Sequence, residues 1–222
     1  MSTDRGISRR EWIVRLGLAG AAVTVLPELS RVLFFRRTLD VAPITEVEAQ
    51  AQTLSAPELR TLQAICARLV PTDETGPGAA EAHAAQYIDR ALGGALASSR
   101  EQYSLGLAAL NAYAHLKAAT SGFAELPPVQ QDELLTDMEQ NRASGFSPNS
   151  STFFNLVRGH TLQGMFCDPI YGGNANMVGW DLIGYPGVRL NVAASEQNMS
   201  TPAARNHKSA YDYVMFSKAG TV

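Results

Sequence analysis

His160, Cys167 and Asp168 stand close together in the chain, and Asp181 follows thirteen positions after Asp168, so the first chemistry to test is nucleophilic or acid–base catalysis. A catalytic histidine needs a carboxylate to orient it and a nucleophile to deprotonate. His160 with Asp168 could supply the first pair as a dyad, but no serine is placed to complete a triad, and across a helix end His160 reads better as a polar residue bonding the loop backbone. Asp168 with Asp181, or Asp73 with Glu74, could be paired as general acid and base. Each of these carboxylates also stands where a turn or a helix cap takes an oxygen acceptor, which is the reading preferred here. An oxygen-rich calcium site from Asp168, Asn174, Asn176 and Asp181 is a further arrangement to weigh, although the spacing matches no EF-hand loop. Zinc or haem attachment finds no support: there is no C-x-x-C, and His83, His115, His160 and His207 are isolated. Gly76-Pro77-Gly78 is no phosphate loop, because no strand precedes it and no Lys-Ser or Lys-Thr follows. Gly172-Gly173-Asn174 lacks the strand–turn–helix context of a dinucleotide site. No catalytic, cofactor-binding or metal-binding residue is therefore assigned to this chain.

The same stretch is distinguished by shape rather than reactivity. Asp168-Pro169-Ile170-Tyr171-Gly172-Gly173-Asn174 leads to Gly179-Trp180 and then Gly184-Tyr185-Pro186-Gly187, and four of the chain's 18 glycines fall between 172 and 184. Glycine admits positive φ, proline fixes φ, and Asp or Asn side chains close local turns, so these residues predict a rigid, ordered loop. A loop so shaped, without a nucleophile, base or metal cluster, is read as a surface for a partner. The candidate interface residues are Cys167, Asp168, Pro169, Tyr171, Gly172, Gly173, Asn174, Trp180, Tyr185 and Pro186. Tyr171, Trp180 and Tyr185 are the candidate anchors; the competing reading folds these rings back onto the helices. Cys167, at the loop's start, is placed for an intersubunit disulfide, a bridge to Cys66 or a free half-buried thiol, and the sequence leaves all three open. Cys66 itself falls on the apolar stripe Leu62, Ile65, Cys66, Leu69 and reads as a buried core thiol.

The elements that would position this loop are helical. Ser55-Ala56-Pro57-Glu58 has the form of a capping box, opening a helix through Leu59, Leu62, Ile65 and Leu69 that stops at Val70-Pro71. After the break at 72–78, a helix is predicted from Ala79 to Leu92, ended by Gly93-Gly94. From Ala97 or Ser98 to about Ala119, apolar residues recur at Leu105, Ala108, Ala109, Ala112 and Leu116, a long helix whose small residues would admit a close neighbour. Leu126-Pro127-Pro128 restarts the chain with Val129 to Met138 helical. Ser150 or Ser151 caps a further helix through Phe153, Phe154, Leu156, Val157, His160 and Met165, which delivers Cys167 to the loop. Beyond Gly187 periodicity fades, predicting an irregular segment that wraps the surface and ends in an aromatic cluster of Tyr211, Tyr213 and Phe216. The alternation that marks strands is missing. The predicted fold is all-α: one compact helical domain over 55–222 with a long ordered Gly/Pro/aromatic loop and an irregular C-terminal segment.

Ahead of that domain lie a segment over 1–37 and a linker over 38–54. Ser8-Arg9-Arg10-Glu11-Trp12 leads into Leu16-Gly17-Leu18-Ala19-Gly20-Ala21-Ala22-Val23-Thr24-Val25-Leu26, a basic region followed by an apolar one. The paired Arg9 and Arg10 before a Gly/Ala-rich core resemble a twin-arginine export signal, which carries folded proteins across the bacterial inner membrane. About eleven apolar residues are too few for a spanning helix, which needs roughly twenty. No convincing A-x-A cleavage site follows, so removal of the signal stays open. A net charge of −3 with scattered basic residues gives nothing to attract nucleic acid.

Phe153-Phe154 with Leu156, Arg158-Gly159-His160-Thr161, Gly164-Met165-Phe166, Asp168-Pro169 with Tyr171-Gly172-Gly173-Asn174, Gly179-Trp180 and Gly184-Tyr185-Pro186-Gly187 together resemble the signature of the gluconate 2-dehydrogenase subunit 3 family. Leu69-Val70-Pro71-Thr72-Asp73, Gly76-Pro77-Gly78-Ala79 and Tyr87-Ile88-Asp89 are similar to that family's first half, so the likeness spans about residues 55 to 188. The resemblance implies a small, helical, non-catalytic subunit of a membrane-bound sugar or sugar-acid dehydrogenase. Its large subunit would be a flavoprotein of the glucose-methanol-choline type carrying FAD, escorted by this chain through the twin-arginine translocase into the periplasm. Electrons would leave for a cytochrome c subunit or a quinone, and the complex would associate with the inner membrane through its subunits or an uncleaved signal. Two other readings stay open: a periplasmic scaffold unrelated to flavoproteins, and a stand-alone enzyme that would converge His160, Asp168 and Tyr171.

Overall fold

The computed structural model describes residues 53–118, 122–197 and 203–216. Arg9 and Arg10, the segment 1–37 and all of the linker before Thr53 lie outside the described residues. Six α-helices follow in chain order: α1 Ala56–Leu69, α2 Ala84–Leu92, α3 Arg100–Ala118, α4 Pro128–Glu139, α5 Ser150–Phe166 and α6 Val178–Ile183. Among the described residues there is no strand, only an isolated antiparallel bridge between Asp73 and Gly76. The all-α expectation holds. No helix among the described residues is long and apolar enough to cross a membrane.

Helix α1 begins as its sequence requires. The Ser55 N–H donates to Glu58 Oε2 at 2.8 Å and Pro57 stands in the first turn, where its missing donor is no loss. Ser55 hydrogen bonding also holds the Glu58 carboxyl below its usual range. Leu59, Leu62, Ile65, Cys66 and Leu69 then turn one face inward, and α1 packs against α2, α3, α4 and α5. Fully burying each such leucine or isoleucine contributes about 1.5–3 kcal/mol, so this one stripe is a main source of the fold's stability. An Arg68–Asp132 pair, bidentate at 2.9 and 2.7 Å, joins α1 to α4; being part-exposed it adds at most about 1 kcal/mol. The domain's first residues are pinned from inside, because the buried Asp89 carboxylate on α2 accepts from both Thr53 N (3.0 Å) and Leu54 N (2.7 Å).

Three local expectations are corrected. Helix α2 starts at Ala84 rather than Ala79, because His83 adopts φ 57° and breaks the helical path. The turn before it leaves the buried Ala82 carbonyl to accept from Ala175 N at 3.2 Å. The buried face of α3 is Tyr103, Gly106, Leu107, Leu110, Tyr113 and Ala114, whereas Leu105 and Leu116 are 56% and 77% exposed. Two apolar stripes run along this helix, and the aromatic one, with far more area to bury, wins the core. Finally, α5 is capped by Asn149, whose side chain accepts from Thr152 N at 2.9 Å; Ser150 instead lies buried and donates to the Met138 carbonyl.

Candidate partner-docking loop

Every helix ends with carbonyls that lack an intrahelical donor. Helix α5 ends at Phe166 with Cys167 as its cap, and the loop doubles back to supply donors. Asn174 N donates to the Gly164 carbonyl at 2.7 Å, the Asn174 side-chain amide to the Cys167 carbonyl at 2.9 Å, and the Trp180 indole N–H to the Phe166 carbonyl at 2.9 Å. Asn174 Oδ1 in turn accepts from Gly179 N at 2.8 Å, in the first turn of α6. One buried asparagine thus joins the end of α5 to the start of α6, from a left-handed backbone (φ 46°) that asparagine tolerates better than most residues. Helix α6 sits so close to α5 that a Cβ at position 179 would collide with the Met165 carbonyl, which accounts for glycine there.

A second set of bonds ties the loop to the chain's C-terminal segment. Asp168 Oδ1 accepts from Ile170 N (3.1 Å) and from the Ser209 hydroxyl (2.6 Å), while Oδ2 accepts from Ala210 N (2.9 Å). The Pro186 carbonyl accepts from Asn206 N at 2.8 Å, and Val188 N donates to the Lys208 carbonyl at 2.8 Å. The Val188 carbonyl takes the Tyr213 hydroxyl and the Asn206 side-chain amide, both at 2.8 Å. Asp181 lies 3.0 Å from Arg205 and 2.8 Å from His207.

The residues read from the sequence as interface candidates divide by burial. Gly173, Asn174 and Trp180 are buried; Cys167, Asp168, Pro169, Gly172 and Pro186 are half-buried; Tyr171 and Tyr185 are exposed. Trp180 is therefore placed inward: its ring packs edge-on to Tyr185 with centroids 4.8 Å apart, and its indole nitrogen is occupied by α5. The exposed rings are joined by Ile170 and, from the C-terminal segment, by Tyr211, which meets Tyr171 edge-on at 6.5 Å. The expected cluster of Tyr211, Tyr213 and Phe216 does not form as a unit, because Tyr211 goes to Tyr171 and Tyr213 to Val188 and Lys208. Thirteen large hydrophobic side chains are exposed among the described residues, and ten of them lie between Ile170 and Phe216, so the loop and the C-terminal segment carry most of the exposed apolar side chains.

His160, Asp73, Asp168 and Asp181, weighed for catalysis in the sequence, each have separate partners among the described residues. His160 Nδ1 lies 3.0 Å from the Tyr103 hydroxyl with the rings stacked, so it bonds neither Asp168 nor the loop backbone. Burial pushes the His160 pKa down and the Tyr103 pKa up, so both are neutral and the pair is a satisfied core contact. Asp73 accepts from Thr75 N at 2.7 Å and shapes a turn. The calcium arrangement does not form either: Asn174 Oδ1 is used by Gly179, and Asp168 and Asp181 are taken by separate partners. Among the described residues no three His, Cys, Asp or Glu side chains converge. Both cysteines are free thiols. Burial pushes Cys66 up to about 12 and raises Cys167 as well.

Sequence reasoning missed the bridging role of Asn174, the Ala82 carbonyl and the tie from Asp168 to Ser209. Only the first had a signal: an asparagine a few residues past a helix end, among glycines, is the residue type that closes such ends. Comparison with curated proteins and with solved structures gives no match. The family model described as gluconate 2-dehydrogenase subunit 3 matches residues 56–187, from the first turn of α1 to the last glycine of the loop. With the helical body and the whole of the loop inside that match, the chain belongs to the gluconate 2-dehydrogenase subunit 3 family.

Proposed function

We propose that this chain is the non-catalytic accessory subunit of an FAD-dependent dehydrogenase of the glucose-methanol-choline type acting on sugars, sugar acids or alcohols. It docks the flavoprotein large subunit, escorts it through twin-arginine export and stabilises it on the periplasmic side of the inner membrane. Electrons leave the complex through a cytochrome c subunit or a quinone. One observation carries the docking part of this reading: the exposed apolar side chains gather on the loop and the segment beside it, at the end of a domain whose family forms part of a dehydrogenase complex. Interfaces of this kind draw most of their affinity from a few aromatic anchors, and Tyr171 and Tyr185 are the exposed ones of the three rings on the loop.

Two measurements test it. Replacing Arg9 and Arg10 by Lys should leave both this chain and the flavoprotein activity in the cytoplasm; normal periplasmic activity would refute the escort role. Tyr171→Asp places a charge on the proposed face, and the flavoprotein should then fail to co-purify while the subunit's melting temperature is unchanged. Retention of the complex by this variant would remove the loop from the interface.

A further inference from the structure

The C-terminal segment has a different physical character from the body it lies on. Between Ala203 and Tyr213 the side chains are exposed or half-buried, with the single exception of Ser209. Almost nothing apolar holds the segment down; hydrogen bonds and ion pairs do, and those described above end on the loop, on α6 or on Val188 just past the loop. Polar tethers with little buried apolar area open at low free energy compared with a packed core. The tether is nonetheless specific. Asp168 is shared between its own turn, through Ile170 N, and the segment, through Ser209 and Ala210, so the same carboxylate shapes the loop and grips the strap. Closing the strap also sets Tyr211 edge-on against Tyr171, and the exposed Val214, Met215 and Phe216 follow directly on Tyr213, whose hydroxyl is held by the Val188 carbonyl. The family match ends at Gly187, before the strap begins.

We propose that residues 203–213 are a latch which, closed through Asp168, completes a composite docking face for the dehydrogenase large subunit, contributing Tyr211 against Tyr171 and presenting the exposed apolar 214–216 run that follows it. This rests on the docking reading above and adds that the loop alone is half of the face. The occupant is the large subunit rather than a second copy of this chain, because the face is continuous with the loop that lies within the family match. The latch works by preorganisation: the strap's ordering cost is met before the partner arrives, so a subunit with an open strap binds more weakly.

The test uses the full chain co-expressed with its large subunit. Ser209→Ala with Ala210→Pro removes both donors to Asp168 from the strap side and leaves the loop's own residues untouched; proline suits the first position of the short helical turn at Ala210–Asp212. A chain truncated after Gln197 removes the strap entirely. Hydrogen exchange over 203–213 should rise in the double variant, the isolated subunit should melt unchanged, and both variants should bind the large subunit at least tenfold more weakly. Unchanged binding overturns the latch, and tighter binding overturns it in favour of a strap that covers the face. A collapsed melting temperature in the double variant also overturns it, by making the strap part of the body. Tyr171→Asp separates the two readings: if it abolishes the complex while the latch variants do not, the docking loop stands and the latch falls. If Tyr171→Asp leaves the complex intact, the docking reading itself has failed.

Discussion

Asn174, which has no reactive side chain, is the residue that joins the end of α5 to the start of α6. Its carboxamide is fully buried and makes two hydrogen bonds, one to a helix end and one from a helix start. Asn174→Ala leaves the Cys167 carbonyl and the Gly179 amide without partners, and a buried group stranded in this way costs about 1–3 kcal/mol. We expect a loss of about 2–4 kcal/mol in urea unfolding; a loss below about 0.5 kcal/mol would show that the loop is held elsewhere. The thiols give a second residue-level expectation. With its pKa pushed to about 12 by burial, Cys66 stays protonated and inert to iodoacetamide at pH 8, and only unfolding exposes it. Rapid labelling of Cys66 in the folded protein would contradict this burial. His160 gives a third. Its folded-state pKa lies below that of a solvated histidine, so below about pH 6.5 the unfolded chain binds a proton that the folded chain refuses, and stability falls as pH drops through that window. His160→Asn keeps an acceptor for Tyr103 and removes the titration. The loss of melting temperature between pH 7 and pH 5.5 should shrink in this variant, and an equal loss in both proteins would place the acid sensitivity elsewhere.

Among the elements, α1 was the most legible and α3 the least, for a physical reason. The Ser55–Glu58 box and the leucine stripe of α1 are local signals, confined to one turn or one face. Helix α3 carries two apolar faces, and periodicity alone does not say which meets the core; Leu105 and Leu116 marked the wrong one. The decisive information was non-local, in the partner ring of Phe153 and in Gly106, where a Cβ would collide with that ring. This contact yields a sign test between two effects. Glycine to alanine in a helix interior is favourable by about 1 kcal/mol, while overpacking a tight core costs about 1–3 kcal/mol. We expect Gly106→Ala to destabilise because Phe153 is fully buried and has nowhere to move, and a rise in melting temperature would show that it yields. The start of α2 was equally hidden. Nothing local to Ala79–His83 announces that the Ala82 carbonyl is needed by residue 175.

For the whole molecule, the loop's composition and the family signature pointed to a rigid surface, and the match over 56–187 agrees with that signature. The strap was legible only as an irregular tail, because Asp168 and Ser209 are 41 residues apart and neither has a pattern that names the other. The same separation of partners has a kinetic consequence. Ala175 is bonded to Ala82, far back along the chain, so this closure of the loop needs α2 and α5 side by side, with the Ala84 backbone against Gly164. Contacts between residues so distant along the chain form late, after shorter loops have closed. The loop's shape is therefore a certificate of completed folding, and a binding partner that recognises the shape discriminates finished subunits from unfinished ones without inspecting the bundle at all.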